Sequence, residues 1–267
     1  MTHDRPPPVV MTIAGNDPSG GAGIAADIEA IAAMGCHAAP VITTLTVQDT
    51  RNATRVQAVD ADLVAEQARA VLADLSVAVV KLGLLGNAAI AHAVAAVLVD
   101  HPEIPVVLDP VLIAGGGAQL AEDPVKAVML DRLVPRALIV TPNSDEARAL
   151  VPDAGVLDDC AHALVALGTR FVLLKGAHED TPNVANRLFD RSGLVERFEW
   201  PRLDGSYHGS GCTLASALAG LLARGVEPAS AVHQAQQFVH DALVHGYRVG
   251  RGQRVPNRMF WAGGAHA

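Results

Sequence analysis

Short runs rich in apolar and β-branched residues recur along this chain, and stretches with helical spacing separate them. Val9–Ala14, Ala38–Val47, Val77–Leu85, Pro105–Asp109, Ala137–Val140 and Arg170–Leu174 read as buried strands. Ile24–Met34, Asp62–Leu75, Ala88–Val99, Pro124–Leu133, Cys160–Leu167, Thr213–Ala223 and Ala229–Tyr247 read as helices. Strands that alternate with helices can pair side by side only through crossover connections, so the pattern predicts an α/β fold with a mostly parallel sheet covered on both faces. One antiparallel unit is expected, a hairpin of Val184–Asp190 and Leu194–Trp200 turning at Ser192-Gly193. With 267 residues, half of them apolar, the chain can bury a large core, and one domain spanning 1–267 is expected.

Composition narrows the function classes. No apolar run approaches the ~18 residues of a membrane span, and a net charge of −8 with 3% aromatic residues lacks the basic, stacking surface that nucleic acid requires. The N-terminal Met1-Thr2-His3-Asp4-Arg5-Pro6-Pro7-Pro8 is unlike a secretory signal, and the cysteines (Cys36, Cys160, Cys212) are odd in number, widely spaced and in no metal-binding pattern. A reducing, cytoplasmic setting is expected, with no membrane or nucleic-acid partner.

In an open parallel sheet, ligands bind beyond the carboxyl ends of the strands. The strand ends here are polar or glycine-rich. The first runs into Gly15-Asn16-Asp17-Pro18-Ser19-Gly20-Gly21-Ala22-Gly23, the second ends at Gln48-Asp49-Thr50, and others deliver Asp109-Pro110, Thr141-Pro142-Asn143 and Lys175-Gly176. Gln48 has both a donor and an acceptor and suits the edge of a heteroaromatic ring. A lysine following a buried strand suits phosphate as a point charge. Asp27, in the helix after the first glycine loop, either complements the helix dipole or faces a ligand held by that loop. Glu146, three residues after Asn143, has the spacing of a capping pair.

The second glycine loop, Gly205-Ser206-Tyr207-His208-Gly209-Ser210-Gly211-Cys212-Thr213, opens a helix with apolar residues at 214, 218, 221 and 222. Backbone N–H groups at a helix start lack intrahelical partners and, with the dipole, favour a phosphate or an oxyanion. The same field is expected to lower the thiol pKa of Cys212. His233, His240 and His245 lack the i, i+4 pairing of a helical metal site and read as packing or surface residues.

With Gly15-Asn16-Asp17-Pro18-Ser19-Gly20-Gly21-Ala22-Gly23-Ile24-Ala25-Ala26-Asp27 and His208-Gly209-Ser210-Gly211-Cys212-Thr213 in their order, the chain resembles the hydroxymethylpyrimidine/phosphomethylpyrimidine kinases of thiamine biosynthesis, within the ribokinase-like superfamily. Val47-Gln48-Asp49-Thr50, Asp109-Pro110-Val111, Thr141-Pro142-Asn143 and Leu174-Lys175-Gly176 extend the likeness from Val9 to about Ala242. The resemblance implies transfer of phosphate from ATP, with Mg²⁺, to 4-amino-5-hydroxymethyl-2-methylpyrimidine and then to its monophosphate. It implies a pyrimidine site at Gly15, Asp27 and Gln48, an anion hole at Gly209, Ser210 and Gly211, and Cys212 as base. Asn143 and Glu146 would organise Mg²⁺ through water, Lys175 would contact phosphate, and Asp109 would lie near the phosphates. The family's habit implies a homodimer. Two departures stand out: Leu84 where the family often has methionine, and Gly115-Gly116-Gly117 where it has Lys-Ser-Gly or Thr-Ser-Gly.

Other readings use less of the chain. A pyridoxal-type vitamin kinase fits the same motifs with a different ring. A nicotinamide-dependent oxidoreductase rests on Gly21-x-Gly23-x-x-Ala26 alone, and a non-catalytic pyrimidine-binding protein predicts binding without turnover.

Overall fold

The computed structural model describes residues 6–112 and 123–262. Among the described residues, nine strands form one sheet in the order β3-β2-β1-β4-β5-β6-β7-β8-β9. These are β1 (Val9–Asn16), β2 (His37–Gln48), β3 (Ala53–Ala58), β4 (Val77–Leu82), β5 (Val106–Leu108), β6 (Ile139–Val140), β7 (Phe171–Leu174), β8 (Asn183–Asp190) and β9 (Gly193–Pro201). The central strands β2, β1, β4, β5, β6 and β7 run parallel. The expected hairpin is β8–β9, antiparallel and added after β7.

A second antiparallel unit, at the other edge of the sheet, corrects the expectation of one: β3 returns along β2, with Leu45 opposite Gln57 and Val47 opposite Arg55. The sequence Ala53-Thr54-Arg55-Val56-Gln57-Ala58 hid it, because its side chains are largely exposed and carry little apolar signal.

Alternation of side chains along each strand sorts the core into two layers. Met11, Ile13, Val80, Leu82, Val106 and Leu108 face one side, where α2 (Ala61–Asp74), α3 (Ala88–Val99), α4 (Asp123–Val128), α5 (Ser144–Leu150) and α6 (Leu157–Ala166) pack. Val10, Val79, Val107, Ile139 and Leu173 face the other, against α1 (Gly23–Ala33), α7 (Ser210–Ala223) and α8 (Pro228–Val244). The predicted helix over 124–133 is α4 followed by a π turn at Met129–Leu133. No helix among the described residues is long and apolar enough to cross a membrane.

The sheet grows in opposite directions from β1, through β2 on one side and β4 on the other. A crevice opens at such a reversal, beyond the carboxyl ends of the strands, because the crossover helices leave on opposite faces.

Candidate active site

That crevice is a cavity of about 700 Å³ lined by the strand ends: Gly15 near the end of β1, Gln48 at the end of β2, Lys81 in β4 and Leu84 after it, Asp109 after β5, Asn143 after β6 and Lys175 after β7. The loop Gly209–Cys212 forms part of its wall. The structure therefore brings every residue expected at the site to one cavity except Asp27. The Gly115–Gly117 segment lies outside the described residues.

Gly209 caps α7 in the left-handed region, at φ 81°. A side chain there would be doubly excluded, since a Cβ would come 1.9 Å from the carbonyl oxygen of Gly21. The first intrahelical bond runs from the Thr213 N–H to the Gly209 carbonyl at 2.9 Å. The N–H groups of Ser210, Gly211 and Cys212 precede that bond and lie at the cavity. Lys175 stands against them, for a Cβ on Gly211 would lie 3.1 Å from its ammonium.

Lys175 donates to Asp109 at 2.9 Å, and Asp109 also accepts from the Thr141 hydroxyl at 3.0 Å. Burial alone would lower the Lys175 pKa, but Asp109 and Glu146 outweigh it and hold the ammonium above its ordinary value. Glu146 closes a reciprocal cap with Asn143: each side chain accepts the other's backbone N–H, both at 2.8 Å. The spacing expected from sequence is thus a real capping box, and the same carboxyl faces the cavity. Its burial pushes the Glu146 pKa up to about 7, against the pull of Lys175.

Two expectations are corrected. Asp27 does not line the cavity. It is fully buried, and its carboxylate accepts from Lys81 at 2.8 and 2.9 Å, from Thr12 at 2.5 Å and from Ser216 at 2.6 Å. With its acceptor capacity taken up by these partners, any part it has in ligand binding runs through Lys81, which does reach the cavity floor. Cys212, for its part, does not have a lowered pKa. Burial pushes the thiol up to about 11, and the nearby Lys81 ammonium only partly counters this. Desolvation has outweighed the helix-end field on which the sequence argument rested.

Several site residues escaped the sequence reading. Asp17 accepts the backbone N–H groups of Ser19 and Ala22, both at 2.8 Å, and so folds the first glycine loop. It also meets His208 Nε2 at 2.7 Å, tying that loop to the second one. Burial would raise the Asp17 pKa, but these hydrogen bonds, led by that of His208, hold it below its ordinary value. An ionised Asp17 needs the proton on His208 Nε2. The Gln48 amide nitrogen lies 2.8 Å from the same ring nitrogen, so His208 also fixes the amide at the cavity. At the cavity wall the Trp200 indole N–H donates to Gln236 at 3.0 Å, and Gln236 is held in turn by Asn186 at 2.8 Å. His240, read from sequence as a packing residue, lies against Trp200 with ring centroids 5.3 Å apart. Lys81 left a signal, a charge inside an apolar strand; Trp200 and Gln236 left none.

Trp200, the Gln48 amide, the start of α7 and Lys175 line one cavity, an arrangement of ring-contacting and anion-binding groups suited to phosphoryl transfer. The phosphomethylpyrimidine kinase family model matches residues 17–257 of the chain. The chain belongs to the phosphomethylpyrimidine kinase family. Among its relatives, the hydroxymethylpyrimidine/phosphomethylpyrimidine kinase of Rhizobium meliloti is 38% identical over 251 residues, covering 92% of this chain and 94% of that protein. A thiamine biosynthesis bifunctional protein of Geobacter sulfurreducens is 39% identical over 258 residues, 95% of this chain, and the chain spans about half (52%) of its length. Among solved structures, a pyridoxal kinase from Staphylococcus aureus in complex with AMP-PCP and pyridoxal superposes with a TM-score of 0.85 at 26% identity, covering 94% of this chain and 93% of that one. The predicted parallel sheet and kinase motifs are those of this family.

Proposed function

We propose that this member of the phosphomethylpyrimidine kinase family transfers the γ-phosphoryl group of ATP to the hydroxymethyl group of 4-amino-5-hydroxymethyl-2-methylpyrimidine, and then phosphorylates the monophosphate. The observation that carries the reading is the placement of the Lys175 ammonium beside Gly211 at the start of α7, in a cavity that Gln48 and Trp200 also line. Gln48 and Gly15 would receive the aminopyrimidine, and Trp200 the adenine. The names of the sequence relatives, at 38–39% identity, favour pyrimidine over the pyridoxal ring of the structural neighbour at 26%.

The hydroxymethyl oxygen attacks the γ-phosphorus while the bond to ADP lengthens, and charge spreads over the equatorial oxygens of the transferring group. The N–H groups of Ser210, Gly211 and Cys212 and the Lys175 ammonium are already aimed at that charge, so the barrier falls without reorganisation. Asp109 keeps Lys175 charged and directed. Cys212 takes the hydroxymethyl proton as its thiolate, the minor form at neutral pH.

Mg²⁺ fits this site in one particular way. Among the described residues no three His, Cys, Asp or Glu side chains gather as a protein-only metal site. Mg²⁺ commonly needs only one or two carboxylates plus phosphates and water, and the buried Asp109 and Glu146 are such a pair. When bound, the ion would neutralise phosphate charge, with Asn143 and Glu146 ordering its waters. The reading also takes the protein to be a cytoplasmic homodimer.

The test is a coupled assay of ADP release with hydroxymethylpyrimidine, with its monophosphate and with pyridoxal. Faster turnover of both pyrimidines than of pyridoxal is expected. Turnover of pyridoxal alone would move the chain to the second reading.

A further inference from the structure

Arg258 is among the most buried side chains of the protein, with 1% of its surface exposed, and it lies one residue beyond the span matched by the family model. It belongs to a C-terminal segment woven into the second glycine loop. The His208 N–H donates to the Arg254 carbonyl at 2.8 Å, the Arg254 N–H to Ser206 at 3.0 Å, and Asn257 anchors on the Ala242 carbonyl at 2.9 Å. From there the guanidinium reaches both glycine loops. Nε donates to the Thr213 hydroxyl at 2.9 Å, Nη1 to the Gly20 carbonyl at 3.4 Å and to Glu29 at 3.0 Å, and Nη2 to the Gly21 carbonyl.

A buried guanidinium is costly unless its donors are met, and here most are met by neutral oxygens. Its one ionic partner among the described residues, Glu29, is half exposed and therefore a weak offset. What the contacts do is set the direction of peptide groups. The Thr213 hydroxyl has a single proton, and with Arg258 on its lone pair it donates that proton to the Gly209 carbonyl, at 2.7 Å. A planar trans peptide points its N–H opposite to its C=O. Fixing the Gly209 carbonyl along the helix therefore aims the Ser210 N–H out of the helix end, towards the cavity. The same rule acts in the first loop, where the Gly21 carbonyl is held by Arg258 and the Ala22 N–H, on the opposite edge of that peptide, reaches Asp17 at 2.8 Å.

We propose that Arg258 is a positioning residue for phosphoryl transfer: through Thr213 and the Gly21 carbonyl it fixes the orientation of the Gly209–Ser210 peptide, and with it the anion hole. The proposal rests on the kinase reading above. It predicts a loss in the transition state and little loss in ground-state binding of either substrate. In Arg258→Met and Thr213→Val, compared at equal folded concentration, kcat falls by about 10- to 100-fold, the cost of a small misplacement at a reacting centre, and both KM values stay within about threefold. Because the two residues act on one peptide, the double variant is no worse than Arg258→Met alone. Glu29→Gln leaves kcat near the parent.

A parent-like kcat in folded Thr213→Val overturns the proposal, as do losses that multiply in the double variant or a loss confined to KM. Thr213→Val decides the matter where Arg258→Met does not fold. Hydrogen exchange supplies a readout independent of substrate: in the variants the hydrogen-bonded amides of Gly20–Ala22 and Thr213 should exchange at least about tenfold faster, with the rest of the sheet unchanged. Uniformly faster exchange would mark Arg258 as merely structural. A parent whose ADP release responds to no ring compound defeats the kinase reading, and the exchange result still decides this one.

Discussion

Lys81 and Asp27 meet 2.8 Å apart immediately behind the cavity floor, and neither side chain reaches solvent. Burial alone would lower the Lys81 pKa, but Asp27 foremost holds it above the ordinary lysine value. Ser216 of α7 and Thr12 of β1 donate to the same carboxylate, so the pair also joins the helix of the anion hole to the central strand.

Removing one member leaves the other as an uncompensated buried charge. Lys81→Met should cost about 3–5 kcal/mol of stability. Lys81→Met combined with Asp27→Asn should recover part of that loss, because an amide still accepts from the two hydroxyls without carrying charge. Urea midpoints at neutral pH measure both. A double variant less stable than Lys81→Met would show that the carboxylate has another partner.

Glu146 should make stability and metal use depend on pH in opposite ways. Its folded-state pKa, near 7, lies above the 4.5 of an unperturbed glutamate. A raised pKa means that the folded state holds the proton more tightly than the unfolded one. The favourable contribution is therefore complete below about 4.5 and is lost as pH rises through about 7. Glu146→Gln removes that loss, so the metal-free variant should gain a few degrees in Tm over the parent at pH 8. At pH 4.5 that gain should vanish. For catalysis the ionised carboxyl is the useful form. The Mg²⁺ concentration giving half-maximal rate should fall for the parent as pH rises from 6 to 8, and stay flat for Glu146→Gln. Identical Mg²⁺ titrations for the two proteins would remove Glu146 from metal handling, whereas Lys175→Ala should weaken the rate at every Mg²⁺ level.

The sheet was legible because period-two burial and polar strand ends are local properties, and Gly15, Gln48, Asp109 and Lys175 were found by their position at those ends. What stayed hidden depended on residues far apart in sequence. Asp17 and His208 are 191 positions apart, and Arg258 is 237 from Gly21, so no spacing rule joins them. The two readings that failed share one cause. Asp27 and Cys212 were judged by their place on a helix, but how deeply they are buried, which fixes their chemistry, depends on the strands and helices packed over them. Strand β3 was missed for the reverse reason: at the sheet edge it has almost no burial to leave a pattern.

Gln48 reads a ring only if its amide is held, and His208 at 2.8 Å holds it. Gln48→Leu conserves volume and removes both hydrogen-bonding groups, which should cost about 1–3 kcal/mol of pyrimidine binding. The KM for the pyrimidine should rise by about 10- to 100-fold at an ATP KM near that of the parent. Equal changes in both constants would make Gln48 a structural residue of the His208 contact.

Cys212 supplies the sharpest test, because its pKa of about 11 leaves little thiolate at neutral pH. Below the pKa the thiolate fraction rises tenfold per pH unit, so alkylation of Cys212 by iodoacetamide should accelerate at that slope between pH 7 and 9 without a plateau. Lys81 is the leading cation that favours the thiolate here, so Lys81→Met, where it folds, should slow the reaction further. If the thiolate also takes the hydroxymethyl proton, kcat should climb over the same range. An aspartate in its place is ionised throughout, so Cys212→Asp should flatten that climb while keeping more activity than Cys212→Ala, in which kcat falls by the ~10²–10⁴-fold typical of losing a general base. Stopped-flow or coupled measurements on the parent and the Asp and Ala variants, at equal folded concentration, separate the outcomes. A pH-independent parent kcat together with parent-like turnover in Cys212→Ala would end the role of the thiol, leaving the N–H groups of Ser210 to Cys212 and the Lys175 ammonium as the chemical machinery of this loop.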